Sequence, residues 1–232
     1  MDFSRFDKRN YPTHSVQDGY GAWAATYEDI VLDAMDLRLL ARIQSVAWDH
    51  QREAADLACG TGRIGVWLTQ RGVPAIDGVD LTAEMLEGAR AKGIYRNLVL
   101  SDLRATPLQP ASYDLVTVSL ADEHLPDLHP LYNEAARITH PHGYFVLVGY
   151  HPFFLMSGIP THYNSASGEP IAIQCYVHLF SDHLRAALAA GWSLLEMHEG
   201  LIDDEWLAQK PKWRQYEHQP ISFAMVWRKP HP

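Results

Sequence analysis

Asp56-Leu57-Ala58-Cys59-Gly60-Thr61-Gly62 stands where a short apolar run, Ala54 to Ala58, gives way to Arg63–Gln70. The apolar positions Ile64, Val66, Trp67 and Leu68 make that second segment a helix with one buried face. Two glycines at a strand-to-helix junction let the backbone turn sharply and approach a ligand closely, because neither carries a Cβ. The free N–H groups of the helix start then face whatever is bound. The motif predicts a nucleotide-like cofactor across the carboxyl end of a parallel sheet.

The same stretch also satisfies Gly60-x-Gly62-x-x-Gly65, the dinucleotide fingerprint, which is a weak signal alone. Three features argue against an NAD-linked oxidoreductase. Asp56 would repel a pyrophosphate but suits a ligand with an ammonium group. The strand lies some fifty residues into the chain, behind a helical segment. Finally, two more acids follow at strand tips. Ala75–Asp80 reads as a strand ending in Asp80, placed to accept hydrogen bonds from two ribose hydroxyls. Asn97–Leu100 reads as another, followed by Ser101-Asp102-Leu103, where an acid meets an exocyclic amine.

With these residues in place the chain resembles the class I S-adenosylmethionine-dependent methyltransferases. The segments are DLACGTG (56–62), GVDLTAEML (78–86), SDL (101–103), YDLVTVSLADEHL (113–125) and ARITHPHGYFVLV (136–148), in the family's order. The run Gly19 to Tyr27 is similar to the aromatic lid helix of small-molecule members. A departure is His142-Gly143, where the family usually has Gly-Gly; it affects a turn. The resemblance implies S-adenosyl-L-methionine as cofactor. It would be held by Tyr20, Asp56, Ala58, Cys59, Gly60, Thr61, Gly62, Asp80, Leu81, Met85, Ser101, Asp102, Leu103, Ser119 and His124. It also implies methyl transfer but says little of the acceptor; the aromatics of the variable stretches point to a small aromatic or apolar molecule, methylated at oxygen first, with carbon or nitrogen as alternatives. A non-catalytic cofactor-binding subunit is a further alternative.

In-line transfer from a sulfonium needs alignment more than a protein nucleophile; effective molarity is worth roughly 7–11 kcal/mol. A phenol acceptor, with a pKa of about 10, also benefits from a general base. Of thirteen histidines, His151, just after the fifth strand, and His162, in Pro160-Thr161-His162-Tyr163, are the candidates for base or acceptor ligand. His124 falls beside the cofactor. No metal is expected: Asp122-Glu123 and Asp203-Asp204-Glu205 read as solvated acids, and no HExxH context exists.

Strands and helices alternate from Ala54 onward, which predicts a doubly wound α/β domain. Its mostly parallel, Rossmann-like sheet would have seven strands. The fourth strand is Tyr113–Ser119 and the fifth Tyr144–Val148; Ser193–Glu199 and Ile221–Arg228 close the sheet. Residues 1–50 form a helical cap, irregular to residue 17 and then one or two helices over Asp18–Ala47. Ser181 is the expected N-cap of a helix ending at Gly191. Residues 151–177 form a loop-like insertion, read as an acceptor lid, and Leu201–Gln219 is irregular. The aromatics Phe153, Phe154, Tyr163, Tyr176, Trp206 and Trp213 in these two stretches either line an apolar pocket or anchor the loops.

The 232 residues suit a single domain, 47% hydrophobic and 20% charged. A formal charge of −9 without a basic stripe argues against nucleic acid. Two cysteines far apart suggest neither a disulfide framework nor a metal knuckle. The polar first ten residues and the lack of a long apolar run predict a cytoplasmic protein with no membrane partner, monomeric or homodimeric.

Overall fold

A computed structural model describes residues 1–230. After a 3-10 turn at Phe3–Arg5 come β1 (Thr13–His14), α1 (Val16–Trp23), α2 (Tyr27–Ile30) and α3 (Leu37–Leu40). Then come β2 (Glu53–Leu57), α4 (Arg63–Gln70), β3 (Ala75–Asp80), α5 (Ala83–Lys92), β4 (Asn97–Leu100), β5 (Tyr113–Ser119), α6 (His129–Ile138) and β6 (Thr139–Tyr150). The remainder is α7 (Pro152–Met156), β7 (His162–Asn164), β8 (Pro170–Ile173), α8 (Phe180–Ala189), β9 (Ser193–Leu201), α9 (Asp204–Gln209) and β10 (Pro220–Arg228).

Seven strands form one sheet in the order β4-β3-β2-β5-β6-β10-β9. The first five are parallel, and β10 runs antiparallel between β6 and β9. The order reverses at β2, so the carboxyl ends of β2 and β5 flank a crevice, where open α/β sheets bind ligands. Apolar residues fill both faces. Leu57, Val116, Phe145, Phe223 and Trp227 pack toward α6 and α8. Ala54, Leu115, Val146 and Val226 pack toward α3 and α4, with Leu39, Leu40 and Leu68. Burial of each such Leu, Val or Phe side chain is worth roughly 1.5–3 kcal/mol.

The cap departs from one or two helices over 18–47. Ser15 caps α1 by accepting from the Asp18 N–H, but the chain then breaks into short pieces. The break has a tertiary cause. Asp36 is buried, caps Leu37 at 2.7 Å, and accepts both Arg63 guanidinium nitrogens at 3.0 Å. Holding that carboxylate against α4 requires a turn where the apolar spacing alone favours helix.

The 151–177 insertion is more ordered than a loop. β7 and β8 form a hairpin, and β8 pairs in parallel with β1, giving a separate three-stranded sheet. It is fastened to α1: Trp23 stacks on Tyr163 at 5.8 Å, and a Cβ on Gly19 would come within 2.8 Å of Ile173. Cap and insertion thus form one cover over the carboxyl ends of the strands. Leu201–Gln219 likewise contains α9 and a 3-10 turn, Pro211–Tyr216. Its Trp206, Trp213 and Tyr216 pack with Phe154 in a closed cluster, which is the anchoring alternative of the two.

Two local expectations change. Ser181 lies inside α8; Leu179 is the N-cap, its N–H donating to the Asp182 carboxylate at 2.9 Å. The carboxylate three residues on supplies the better acceptor for that end. The fifth strand extends to Thr139–Tyr150 because β5 pairs with it from Thr139 and β10 as far as Tyr150. Within it His142 takes a left-handed φ of 65°, at the position of the family's missing glycine.

Candidate functional site

A cavity of about 430 Å³ lies at the carboxyl ends of β2–β5, roofed by α1 and by the segment after β8. Ala58 and Gly60 come from the loop after β2, Asp80 and Leu81 from the end of β3, Ser101–Arg104 from the end of β4, and Ser119 from β5. Tyr20, Met85 and His124 complete the expected residues on its wall, joined by Ser15, Gln17, Tyr27, Gln174 and Tyr176.

The floor is a hydrogen-bonded loop. Cys59 N donates to Val79 O at 2.9 Å, and Gly60 N to Asp80 Oδ2 at 2.8 Å. Gly60 has φ +54°, and a Cβ built there meets nothing within 4 Å; the space it would enter is the cavity. Asp80 Oδ1 accepts from Thr82 N at 2.9 Å, which holds the carboxylate at the strand tip. Burial raises the Asp80 pKa, opposed by the Thr82 and Gly60 N–H donors. At the far end Asp102 is gripped by Arg104, Nε at 2.9 and 3.0 Å from its two oxygens, and those bonds hold its carboxyl below the usual range.

Several expected residues stand off the wall. Asp56 is 1% exposed and accepts from Tyr95 Oη at 2.7 Å and Thr117 Oγ1 at 2.9 Å. Its side chain turns under the loop because Tyr95 and Thr117 supply the donors there; burial pushes its pKa up to about 6. Cys59 turns its thiol into the protein, close to Gly78, and burial raises its pKa. Thr61 donates its hydroxyl to Glu28 at 2.5 Å, and Gly62, at φ +92°, is the N-cap of α4. These residues shape the loop rather than its cavity surface.

The two candidate bases also lie elsewhere. His151 caps α7 by accepting from Phe153 N at 3.1 Å, and its Nε2 meets Glu199 at 2.8 Å. The β6 end carries it toward β9, away from the crevice. His162 is tied to Pro160 O at 2.8 Å and stands beside Tyr11 on the cover's small sheet. The histidine on the wall is His124. Its Nε2 is 2.8 Å from Tyr20 Oη and its Nδ1 2.7 Å from Gln174 O.

Asp122 and Glu123 are not a solvated face: they are 2% and 1% exposed. Glu123 Oε1 accepts from Thr161 Oγ1 at 3.2 Å and lies 3.5 Å from His124 Nε2. Burial, then the neighbouring Asp122, drives the Glu123 pKa well above the carboxylate range. Among the described residues no group of three His, Cys, Asp or Glu is arranged to hold a metal, and no helix is long and apolar enough to cross a membrane.

The family described as "methyltransferase domain" matches residues 55–147, the stretch that contains the glycine loop and all three strand-tip acids. That match spans the central part of the chain, and the likeness there is to methyltransferases. Malonyl-[acyl-carrier protein] O-methyltransferase of Halorhodospira halophila is 28% identical to this chain over 182 residues, 76% of this chain and 59% of that one. Ubiquinone biosynthesis O-methyltransferase of Bordetella avium is 30% identical over 129 residues, 53% of each chain. The chain thus spans about half the length of the curated relatives it matches. Its fold is that of an S-adenosylmethionine-dependent methyltransferase from Mesorhizobium loti, with TM-score 0.68 and 22% identity over 87% of this chain and 99% of that one.

Sequence reasoning missed Tyr95, Glu28 and Gln174, while Tyr176 takes the pocket-lining alternative offered for the aromatics of the insertion. Tyr95 follows α5 without any local pattern that marks it. Gln174 and Tyr176 lie in the insertion, where only the pairing of β8 with β1 brings them over the cavity.

Proposed function

We propose that this chain binds S-adenosylmethionine in the 430 Å³ cavity and transfers its methyl group to a small, aromatic or apolar acceptor, at oxygen. The observation that carries the reading is the pairing of Gly60 and Asp80. A Cβ-less residue opens the floor, and the carboxylate bonded to its N–H stands at the tip of β3, where a ribose edge would lie. Asp80 would take the ribose hydroxyls, Leu81 and Met85 the adenine face, and Ser101–Leu103 the adenine edge. The cofactor supplies an electrophilic methyl on a sulfonium. The chain's own contribution is alignment under a cover that excludes water, worth roughly 7–11 kcal/mol when donor and acceptor meet in line. Two relatives named as O-methyltransferases support oxygen as the receiving atom. The neutral, partly aromatic cover of Tyr20, Gln174 and Tyr176 supports a small uncharged acceptor.

Titration calorimetry with S-adenosylhomocysteine tests the reading. Saturable binding that also raises the unfolding temperature is expected. Indifference to that thioether at millimolar levels, with tight binding of NADH instead, overturns it.

A further inference from the structure

We infer that the acceptor end of the cavity recognises an uncharged aromatic hydroxyl compound, whose O–H donates to Tyr20 Oη, and that His124 is the positioning residue that commits Tyr20 to this role. The inference rests on the methyl-transfer reading above.

The argument follows the protons. The Gln174 carbonyl can only accept, so at 2.7 Å it requires the proton of His124 on Nδ1. Burial lowers the His124 pKa to about 4, so the ring is neutral and Nε2 carries a lone pair. Tyr20 Oη, 2.8 Å from Nε2, must therefore donate its only proton there. What remains on that oxygen is acceptor capacity. The ring is held in place by stacking on Trp23 at 5.9 Å and by the edge contact with His124 at 5.3 Å and 84°. A ligand group meeting Tyr20 Oη in the cavity must bring its own hydrogen.

Charge narrows the class. Among the described residues that line the cavity, Arg104 is the only lysine or arginine, and its guanidinium is committed to Asp102 at the β4 end. An anionic acceptor would find no counter-charge from the protein's own side chains near Tyr20, and a buried carboxylate without one is costly. Leu125, Pro126 and Tyr176 offer apolar and aromatic wall for a ring.

The experiment uses the full chain saturated with S-adenosylhomocysteine and four probes: phenol, anisole, benzoate and benzylamine. Dissociation constants are read by ligand-observed NMR titration. Phenol is expected to bind about threefold to tenfold tighter than anisole, the worth of one net hydrogen bond, and tighter than benzoate or benzylamine. In Tyr20→Phe, at saturating S-adenosylhomocysteine, phenol's advantage over anisole disappears. Absence of phenol binding, preference for benzoate or benzylamine, or a phenol advantage that survives Tyr20→Phe each overturns the inference. Two-bond ¹⁵N–¹H correlation of histidine in the unmutated protein reads the tautomer directly. Protonated Nδ1 with bare Nε2 at His124 supports the assignment, and the opposite tautomer defeats it, whatever the variant's folding. Failure to bind S-adenosylhomocysteine in calorimetry sinks the methyl-transfer reading itself. Normal binding without phenol selectivity sinks the acceptor assignment alone.

Discussion

Tyr95 donates its hydroxyl to Asp56 at 2.7 Å, and its ring occupies the space a side chain on Gly65 would need. A Cβ on Gly65 would collide with Tyr95 Oη and with Ile94 Cδ1. The third glycine of the Gly60-x-Gly62-x-x-Gly65 pattern therefore serves this tyrosine, and through it the acid under the loop. Gly65→Ala forces the ring or α4 to move and is expected to cost about 1–3 kcal/mol, as overpacking does. Urea unfolding would register that loss; an unchanged midpoint would show that the ring yields freely.

Asp56 makes folding stability depend on pH. Its folded pKa, about 6, lies above its ordinary value of 3.8 because burial disfavours the charge. A raised carboxylate pKa means the folded state binds the proton more tightly than the unfolded one. Its stabilising effect is full below about pH 4 and is lost as pH rises through 6. At pH 7.5 the ionised group costs at most about 3 kcal/mol. Asp56→Asn is expected to be more stable than the parent at pH 7.5 relative to their difference at pH 4. Unfolding midpoints that shift in parallel across that range would refute the assignment.

Asp80 has two duties. Asp80→Ala removes the proposed ribose contacts and is expected to weaken S-adenosylhomocysteine binding by roughly 1.5–3 kcal/mol, about tenfold to a hundredfold or more. It also strips the Gly60 and Thr82 N–H groups of their acceptor, so a lower unfolding midpoint accompanies the loss. Unchanged affinity in calorimetry counts against the placement of the ribose.

Gly60→Ala isolates the floor from its partners. The Cβ meets no protein atom within 4 Å, so the fold bears only the strain of φ +54°, about 1–2 kcal/mol. The methyl nevertheless stands in the cavity, and cofactor affinity is expected to fall more than stability does. Equal binding by variant and parent would place the cofactor elsewhere.

Glu28 latches the cover to the floor: it accepts from Thr61 Oγ1 at 2.5 Å and pairs with Lys92 on α5. The carboxylate is nearly half exposed, so the latch is worth less than about 1 kcal/mol. Glu28→Ala is expected to speed hydrogen exchange in 16–30 about twofold to fivefold while leaving global unfolding within error. Exchange that stays unchanged would mean the β1–β8 pairing alone holds the cover.

The chain's periodicity was enough to specify the alternating strands and helices, the glycine turn after β2 and the acids closing β3 and β4. Each is local: the period of the apolar residues, the missing Cβ and the strand terminus lie within a few residues of one another. That is why the sheet and one wall of the cavity were legible. Tertiary structure decided which face each side chain presents. Asp56 points beneath the loop because Tyr95 and Thr117, 39 and 61 residues away, supply its donors. His124 rather than His151 or His162 reaches the cavity because α1 brings Tyr20 to it and the β8 end brings Gln174. Hydrogen-bond partners this distant in the chain leave no spacing in the sequence, since only the folded sheet sets the distance between them.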